Sequence, residues 1–569
     1  MASSSVWVIC LFALLFGHSF IEIEASQDHE PYRTAFHFQP PKNWMNGPMI
    51  YKGIYHLFYQ YNPNGTAWGN ILWAHSTSKD LINWDPLPIA IYPTIPSDID
   101  GCWSGSATIL SKGKFRLNKI LPRNGPIIMY TGINPQQQQV QNLAMPKDLS
   151  DPYLKEWIKI RQDPLMAPNA QNMINSSSFR DPTTAWYTNG RWNLIVGSKI
   201  NETGKAILYT SKDFIKWTEA KQPLHSAGDG MWECPDFYPV PIHSTQGVDT
   251  SKVGSRVKHV LKISLNNNNH DMYTIGMYDI KKDIYIPDKG SVESDLGLKY
   301  DYGKWYASKT FFDSEKNRRV LWGWINESTN ATIDAIKGWS GIQAIPRKIW
   351  LDPSGKQLIQ WPIAELEKLR INEVNVPPTE LQGGCVVEIP CATAVQADIE
   401  IEFEVSNLDK VKVDVLDPSM ITNPALVCTQ NGASVRGAFG PFGLLVFASK
   451  SLEEYTAVYF RIFKYEKKYM VLVCNDLSRS SLYLGYDKSS FGAFVDIDPT
   501  YDKLSLRTLV DHSIVETFSG GGKACITSRV YPTLILTQGA HTYAFNNGTE
   551  SVKISKFTAW SLKKARINQ

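Results

Sequence analysis

The chain has 569 residues, enough for two domains, with 43% hydrophobic residues, 12% aromatics and a net charge of +3. That weak positive balance argues against a nucleic-acid binder, and past the N-terminus no segment is long and apolar enough to cross a membrane. The 18 Trp and 26 Tyr suit strand cores, and they equally suit platforms that stack on sugar rings.

The chain opens on an apolar run, Val6–Phe16, too short to span a bilayer, with small residues near Ala25-Ser26. Residues 1–25 are therefore predicted to be a secretory signal, although its first residues carry no Lys or Arg. Secretion to the extracellular space is the expectation, and a mildly basic protein suits loose retention by a polyanionic wall. Cys10 falls in the leader, which leaves an odd seven of the eight cysteines, spaced unlike a zinc site. Sequons begin at Asn64, Asn175, Asn201, Asn326, Asn330 and Asn547 and permit N-glycosylation of a secreted chain.

Short runs of β-formers then recur between Gly, Pro, Asn and Asp: Ile54–Tyr61, Ile127–Thr131, Trp192–Gly197 and Ala206–Thr210. Thr77-Ser78-Lys79-Asp80-Leu81-Ile82-Asn83-Trp84 matches Thr210-Ser211-Lys212-Asp213-Phe214-Ile215-Lys216-Trp217 at six of eight positions. Met145-Pro146-Lys147-Asp148-Leu149 followed by Trp157 is a looser copy between them. The Lys-Asp pairs recur at about 65 to 70 residues, room for one four-stranded sheet per repeat, which predicts propeller blades over residues 26–362. Ile363–Glu373 reads as a short helix opening a linker over 363–384, with Pro377-Pro378 and Gly383-Gly384. From 385 to 569 alternating runs such as Asp398–Val405, with Leu472–Cys474, Ile514–Phe518 and Tyr543–Phe545, predict an antiparallel sandwich that Cys428 and Cys474 could staple. The fold class is all-β.

Splitting a glycosidic bond takes two carboxyl groups, one to protonate the leaving oxygen and one to attack the anomeric carbon or activate water. Glu233, in Met231-Trp232-Glu233-Cys234-Pro235-Asp236, has flanks whose burial would hold a proton for general-acid work; a strand Glu paired with an Arg is the competing reading. In Phe179-Arg180-Asp181-Pro182 the adjacent Arg would keep Asp181 ionised, able to bond sugar hydroxyls; a plain Asp-Pro turn competes. Asp511 and Glu516 form a second carboxylate pair, read as structural because no sugar-platform Trp lies beside them.

These motifs, with His37-Phe38-Gln39-Pro40, Asn43-Trp44-Met45-Asn46-Gly47-Pro48, Trp103-Ser104-Gly105-Ser106-Ala107-Thr108, Asp301-Tyr302-Gly303, Gly338-Trp339-Ser340-Gly341 and Asp511-His512-Ser513-Ile514-Val515-Glu516, resemble plant family 32 glycoside hydrolases over nearly the whole chain. The resemblance implies a five-bladed β-propeller followed by a β-sandwich, and release of fructose with retention from fructan or sucrose. It implies Glu233 as acid/base and Asp181 as transition-state stabiliser. Asn46, Gln60, Trp68, Trp103, Ser104 and Arg180 would line the fructose pocket. Pro235 after Cys234 is similar to the cell-wall branch. A monomer is expected, with no cofactor and no metal.

Two departures stand out. The family pattern reads Trp-Met-Asn-Asp-Pro-Asn-Gly-Pro where this chain reads Trp44-Met45-Asn46-Gly47-Pro48, so Asp-Pro-Asn is absent between Asn46 and Gly47, and with it the family's nucleophile. That tripeptide typically has its own tiny exon in plant members, so a skipped exon is the simplest origin. Without the carboxylate no fructosyl intermediate forms, and an odd-numbered deletion in extended structure inverts side-chain facing beyond it. Second, Ser264-Leu265-Asn266-Asn267-Asn268-Asn269-His270-Asp271 replaces Ser-Leu-Asp-Asp-Thr-Lys-His-Asp, whose Asp grips the glucose of sucrose. Asn266 bonds without a charge, closer to fructan exohydrolases or defective invertases, unless this is only an Asn-rich surface loop. Hence a hydrolase of β-fructosides, impaired as written, is weighed against a catalytically silent sugar-binding regulator and an arabinanase-like five-bladed glycosidase, the last disfavoured by Trp-Glu-Cys-Pro-Asp and Trp-Ser-Gly-Ser.

Overall fold

The β-forming runs build five sheets in chain order, antiparallel except for one pairing at the edge of the first, followed by two more. The computed structural model describes residues 30–46, 49–111, 117–169, 173–265, 269–390 and 393–567, without the side chains of 44–46 and 229. The predicted leader, residues 1–25, lies outside them, as does Asn266. Residues 32–569 form one compact unit.

Blade I pairs Ile54–Asn62, Leu72–Ser78 and Asp85–Ile91, with Asn43–Asn46 and Met49–Tyr51 along its inner side. Blade II runs Cys102–Leu110, Gly125–Ile133, Gln139–Pro146, Trp157–Lys159, and blade III is built on Phe179–Arg180, Arg191–Ile200, Thr203–Ser211 and Trp217–Glu219. Blade IV runs Trp232–Pro241, Val257–Leu265, His270–Asp279, Ile284–Pro287, and blade V Tyr306–Asp313, Arg318–Ile325, Arg347–Leu351, Leu358–Pro362. Trp339–Ser340 pairs in parallel with the start of Asn43–Asn46, and Asn43 N–H donates to Gly338 O at 2.9 Å, so chain from the last blade closes on the first.

The internal repeat is one turn used three times, between the third and fourth strands of blades I, II and III. In blade I, Leu81 N–H donates to Ser78 Oγ at 2.8 Å, and Ile82 and Asn83 N–H donate to Asp80 Oδ1 at 3.0 and 2.8 Å. Blade III repeats these bonds from Phe214, Ile215 and Lys216 to Ser211 and Asp213 at 2.8, 3.0 and 2.8 Å. The blade II copy is looser: Ser150 N–H donates to Asp148 Oδ1 at 2.8 Å. Short polar side chains here replace the ladder bonds a turn forfeits.

The segment expected as a linker is different. Only Ala364–Leu369 is helical, as a 3₁₀ turn, and Arg370–Val376 and Thr379–Leu381 pair with Val552–Leu562 as sandwich strands. A bulge between Ile371 and Val374 breaks the alternation that would have marked the strand, and Pro377-Pro378 sits between the two pieces. The sandwich stacks a seven-stranded on a six-stranded sheet, with Ile399, Ile401 and Phe403 fully buried between them. A disulfide joins Cys428, on the helix Pro424–Gln430, to Cys474 in Lys468–Asp476.

His37 docks propeller to sandwich. Its Nδ1 lies 2.8 Å from Asp511 Oδ2 and its Nε2 3.0 Å from Glu516 Oε1, all three side chains fully buried. Asp511 also accepts the N–H groups of Ala35, Phe36 and His37, and Arg347 Nη2 reaches Glu516 and Asp301 at 2.7 and 2.9 Å. Asp511 and Glu516 thus serve the interface, and the His37 motif belongs with them. Gly303 is required here: a Cβ would stand 2.0 Å from Thr527 O. Among the described residues no helix is long and apolar enough to cross a membrane, and no His/Cys/Asp/Glu group is arranged for a metal.

Candidate active site

The innermost strands of blades II, IV and V each carry a bulge: between Cys102 and Gly105, between Glu233 and Asp236, and between Tyr306 and Lys309. Trp103, Ser104, Cys234 and Ala307 fall inside these irregularities, and all four line one pocket. A bulge re-aims side chains that regular pleating would send into the sheet's flanks. Asp181, Cys234 and Ala307 take left-handed backbone, with φ of 66°, 44° and 52°. Each costs on the order of 1–3 kcal/mol, strain that surrounding structure holds in place.

Polar side chains from successive blades join around the pocket. Gln60 of blade I donates to Ser104 Oγ of blade II at 2.8 Å. Gln139 of blade II accepts from Arg180 Nη1 of blade III at 3.1 Å. Arg180 Nη2 and Nε donate to Glu233 Oε1 of blade IV at 2.6 and 3.1 Å, and Tyr306 of blade V donates its OH to Glu233 Oε2. Glu233 therefore meets a cation and a phenol rather than the apolar surroundings its flanks suggest, and the Arg-paired reading and the pocket reading hold together. Its side chain is 14% exposed and that of Arg180 13%, so the pair is shielded yet open to the pocket.

Asp181 lies behind them, 4% exposed, its Oδ2 accepting Cys234 N–H at 2.8 Å. Burial raises its carboxyl above the ordinary range, Arg180 opposes this, and the Glu233 charge adds to the rise. The net direction is the reverse of what the adjacent arginine suggests, because burial outweighs the pull of that guanidinium. Burial, followed by the Asp181 charge, pushes the Cys234 thiol well up, leaving it inert. Trp68 stands at the rim, 56% exposed and edge-on to Trp103 at 5.1 Å.

Residues 37–362 match the Glycosyl hydrolases family 32 N-terminal domain, and residues 365–561 match the Glycosyl hydrolases family 32 C terminal. The chain belongs to glycosyl hydrolase family 32. Its five blades and sandwich are the family architecture, and it superposes on fructan 1-exohydrolase IIa from Cichorium intybus with a TM-score of 0.90 and 49% identity, covering 95% of this chain and 99% of that one. A variant of that protein has been solved in complex with 1-kestose. The chain is 60% identical over 549 residues to a fructan 6-exohydrolase of Beta vulgaris, covering 95% of this chain and 88% of the relative. It is 56% identical over 593 residues to the β-fructofuranosidase insoluble isoenzyme CWINV1 of Arabidopsis thaliana, covering 99% of both.

In this family 32 pocket Gln60, Trp68, Trp103, Ser104, Arg180, Asp181 and Glu233 come together. The backbone of Asn46 pairs opposite Gln60, while its side chain lies outside the described residues. The next strand piece pairs one register step away, Met49 opposite His56, so the ladder is interrupted where the sequence departs from the family pattern. Asn266 is outside the described residues, but Asn269 of the same stretch lines the pocket. Gln139, Tyr306, Trp324 and Asp334 line it too and had no motif to announce them; Ser340 had one, in Gly338-Trp339-Ser340-Gly341. Of the sequon asparagines, Asn64, Asn175, Asn201, Asn326 and Asn330 are exposed, Asn326 on the pocket wall. Asn547 is half-buried and its amide donates to Ala433 O at 3.1 Å.

Proposed function

We propose that this chain is a secreted, cell-wall β-fructosidase of family 32 whose pocket binds terminal fructosyl groups, with Glu233 as acid/base and Asp181 as transition-state stabiliser, and that as translated it lacks the nucleophile. The observation that carries the reading is the blade-to-blade chain of Gln139, Arg180, Glu233 and Tyr306 beside Asp181, in a fold shared with fructan exohydrolases and β-fructofuranosidases. In a complete site, a carboxylate attacks C2 of the fructosyl ring while Glu233 protonates the leaving oxygen; water then releases fructose with Glu233 as base. Asp181 shares charge with the sugar hydroxyls as the ring flattens. Here Asn46 runs directly into Gly47, and no covalent intermediate can form. Fructan is preferred to sucrose, because the Asn266–Asn269 stretch carries neither the Asp nor the Lys that grips glucose.

The direct Asn46-Gly47 junction also favours a second reading, a sugar-binding regulator that never turns over. Both are tested by calorimetry with 1-kestose and sucrose and by fructose-release assays, on the chain as translated and on a variant with Asp-Pro-Asn inserted after Asn46. The expected result is binding without release in the former, and turnover higher by on the order of 10⁴-fold or more in the latter. Brisk release by the unaltered chain defeats the proposed role of the junction. Binding without release in both proteins leaves the regulator.

A further inference from the structure

We infer that Gln139 is a positioning residue: it fixes the Arg180 guanidinium so that it grips Glu233 in the pocket. This rests on the assignment of Glu233 to the fructosyl site, but the geometry stands without it. Gln139 is the first residue of the third strand of blade II and is 5% exposed. Its Oε1 accepts two bonds, from Phe179 N–H at 2.8 Å and from Arg180 Nη1 at 3.1 Å, and its Nε2 donates to Ser177 O at 2.9 Å. Reversing the amide would set donor against donor and acceptor against acceptor, so the network permits one orientation.

Arg180 has a rigid planar fork, and fixing one side fixes the other. Nη1 is held by Gln139 Oε1 and by Ser177 O at 3.1 Å, which leaves Nε and Nη2 facing Glu233 Oε1. The opposite oxygen of Glu233 takes the Tyr306 hydroxyl. The carboxylate is therefore aimed from two sides, and Gln139 is the side chain of that frame not itself bonded to Glu233. The same amide also ties Phe179 and Ser177, so one side chain sets the strand Phe179–Arg180 that leads into Asp181.

Two substitutions separate this role from simple packing. Gln139→Met keeps length and volume but removes the acceptor; Gln139→Glu keeps the acceptor for Arg180 and Phe179, while its second oxygen faces the Ser177 carbonyl and can donate to it only when protonated. If Gln139 positions Arg180, 1-kestose affinity falls by roughly tenfold or more in Gln139→Met and stays within a few-fold of the parent in Gln139→Glu. A packing role gives the opposite order, Met silent and the buried charge of Glu harmful. Crystal structures supply a readout that needs no sugar. In Gln139→Met the guanidinium should leave Glu233, and in Gln139→Glu it should stay. A Gln139→Met structure with Arg180 still on Glu233 overturns the assignment, whatever the protein binds. Absence of 1-kestose binding by the unaltered chain counts against the functional reading instead, and the structures then decide the role of Gln139.

Discussion

Trp68 shows how a single exposed side chain can be separated from stability. It is 56% exposed, so little of its surface supports the fold, yet it stands edge-on to Trp103 over the pocket mouth. Trp68→Ala should weaken 1-kestose binding by about three- to tenfold, the range of an aromatic contact, with an unfolding midpoint close to the parent's. Unchanged affinity would remove Trp68 from the sugar site, and a large drop in the midpoint would make it a folding residue. The charged members of the site were legible because they sit in short, unusual strings: Arg180-Asp181-Pro182 and Trp232-Glu233-Cys234-Pro235. Gln139 and Tyr306 were not, because each is an ordinary residue at a strand terminus, and only the closure of neighbouring blades gives it a partner. The electrostatics were least legible. Sequence adjacency of Arg180 and Asp181 suggests a lowered carboxyl, whereas the fold spends that guanidinium on Glu233 and buries Asp181.

The Ser-x-Asp turn is the element that repeats, and it offers a matched pair of positions. In blade III, Asp213 Oδ1 accepts two backbone N–H groups and its Oδ2 accepts Asn118 Nδ2 at 3.4 Å; the twin Asp80 in blade I accepts the same two backbone groups and Asn83 Nδ2 at 2.8 Å. For both carboxyls burial acts upward, but the hydrogen bonds outweigh it and the net direction is down. Asp213→Ala should cost about 1–2 kcal/mol in denaturant unfolding, as loss of a capping side chain does, and Asp213→Asn, which keeps the acceptor, should cost less. Because the folded value is depressed, the support is present above the ordinary carboxyl range near pH 4 and is lost as pH falls through the lowered value. An Asp213→Ala penalty that grows with acidity would contradict this. The blades were legible because turn chemistry and β-formers agree there. The start of the sandwich carries no strand signature, because the bulge at Ile371–Val374 erases the period-two signal over Arg370–Val376.

At the scale of the whole molecule, the sandwich is locked to the propeller through a charged core, and His37 is its centre. Burial alone would lower the pKa of this imidazole, but the hydrogen bonds and charges of Asp511 and Glu516 outweigh burial and raise it. Each carboxyl moves against its own burial: Asp511 goes well below the ordinary range, through His37 and then His512, and Glu516 goes down, through the Arg347 charge and then His37. A ring that donates from both nitrogens to carboxylates is an imidazolium, which supplies the positive charge between two buried negatives. The sign follows for each group. The raised His37 contributes fully below its unfolded value near pH 6.5, and that contribution is lost as pH rises through the folded value; the depressed carboxylates contribute above about pH 4 and lose their contribution as pH falls. A neutral replacement should therefore be most harmful between these limits. His37→Gln should lower the thermal midpoint most near pH 5 to 6, and the gap to the parent should narrow as the pH rises and the parent's own imidazolium deprotonates. A gap that is constant from pH 5 to pH 9 would mean that His37 acts by shape alone and that the charge of the ring does not hold the two domains together.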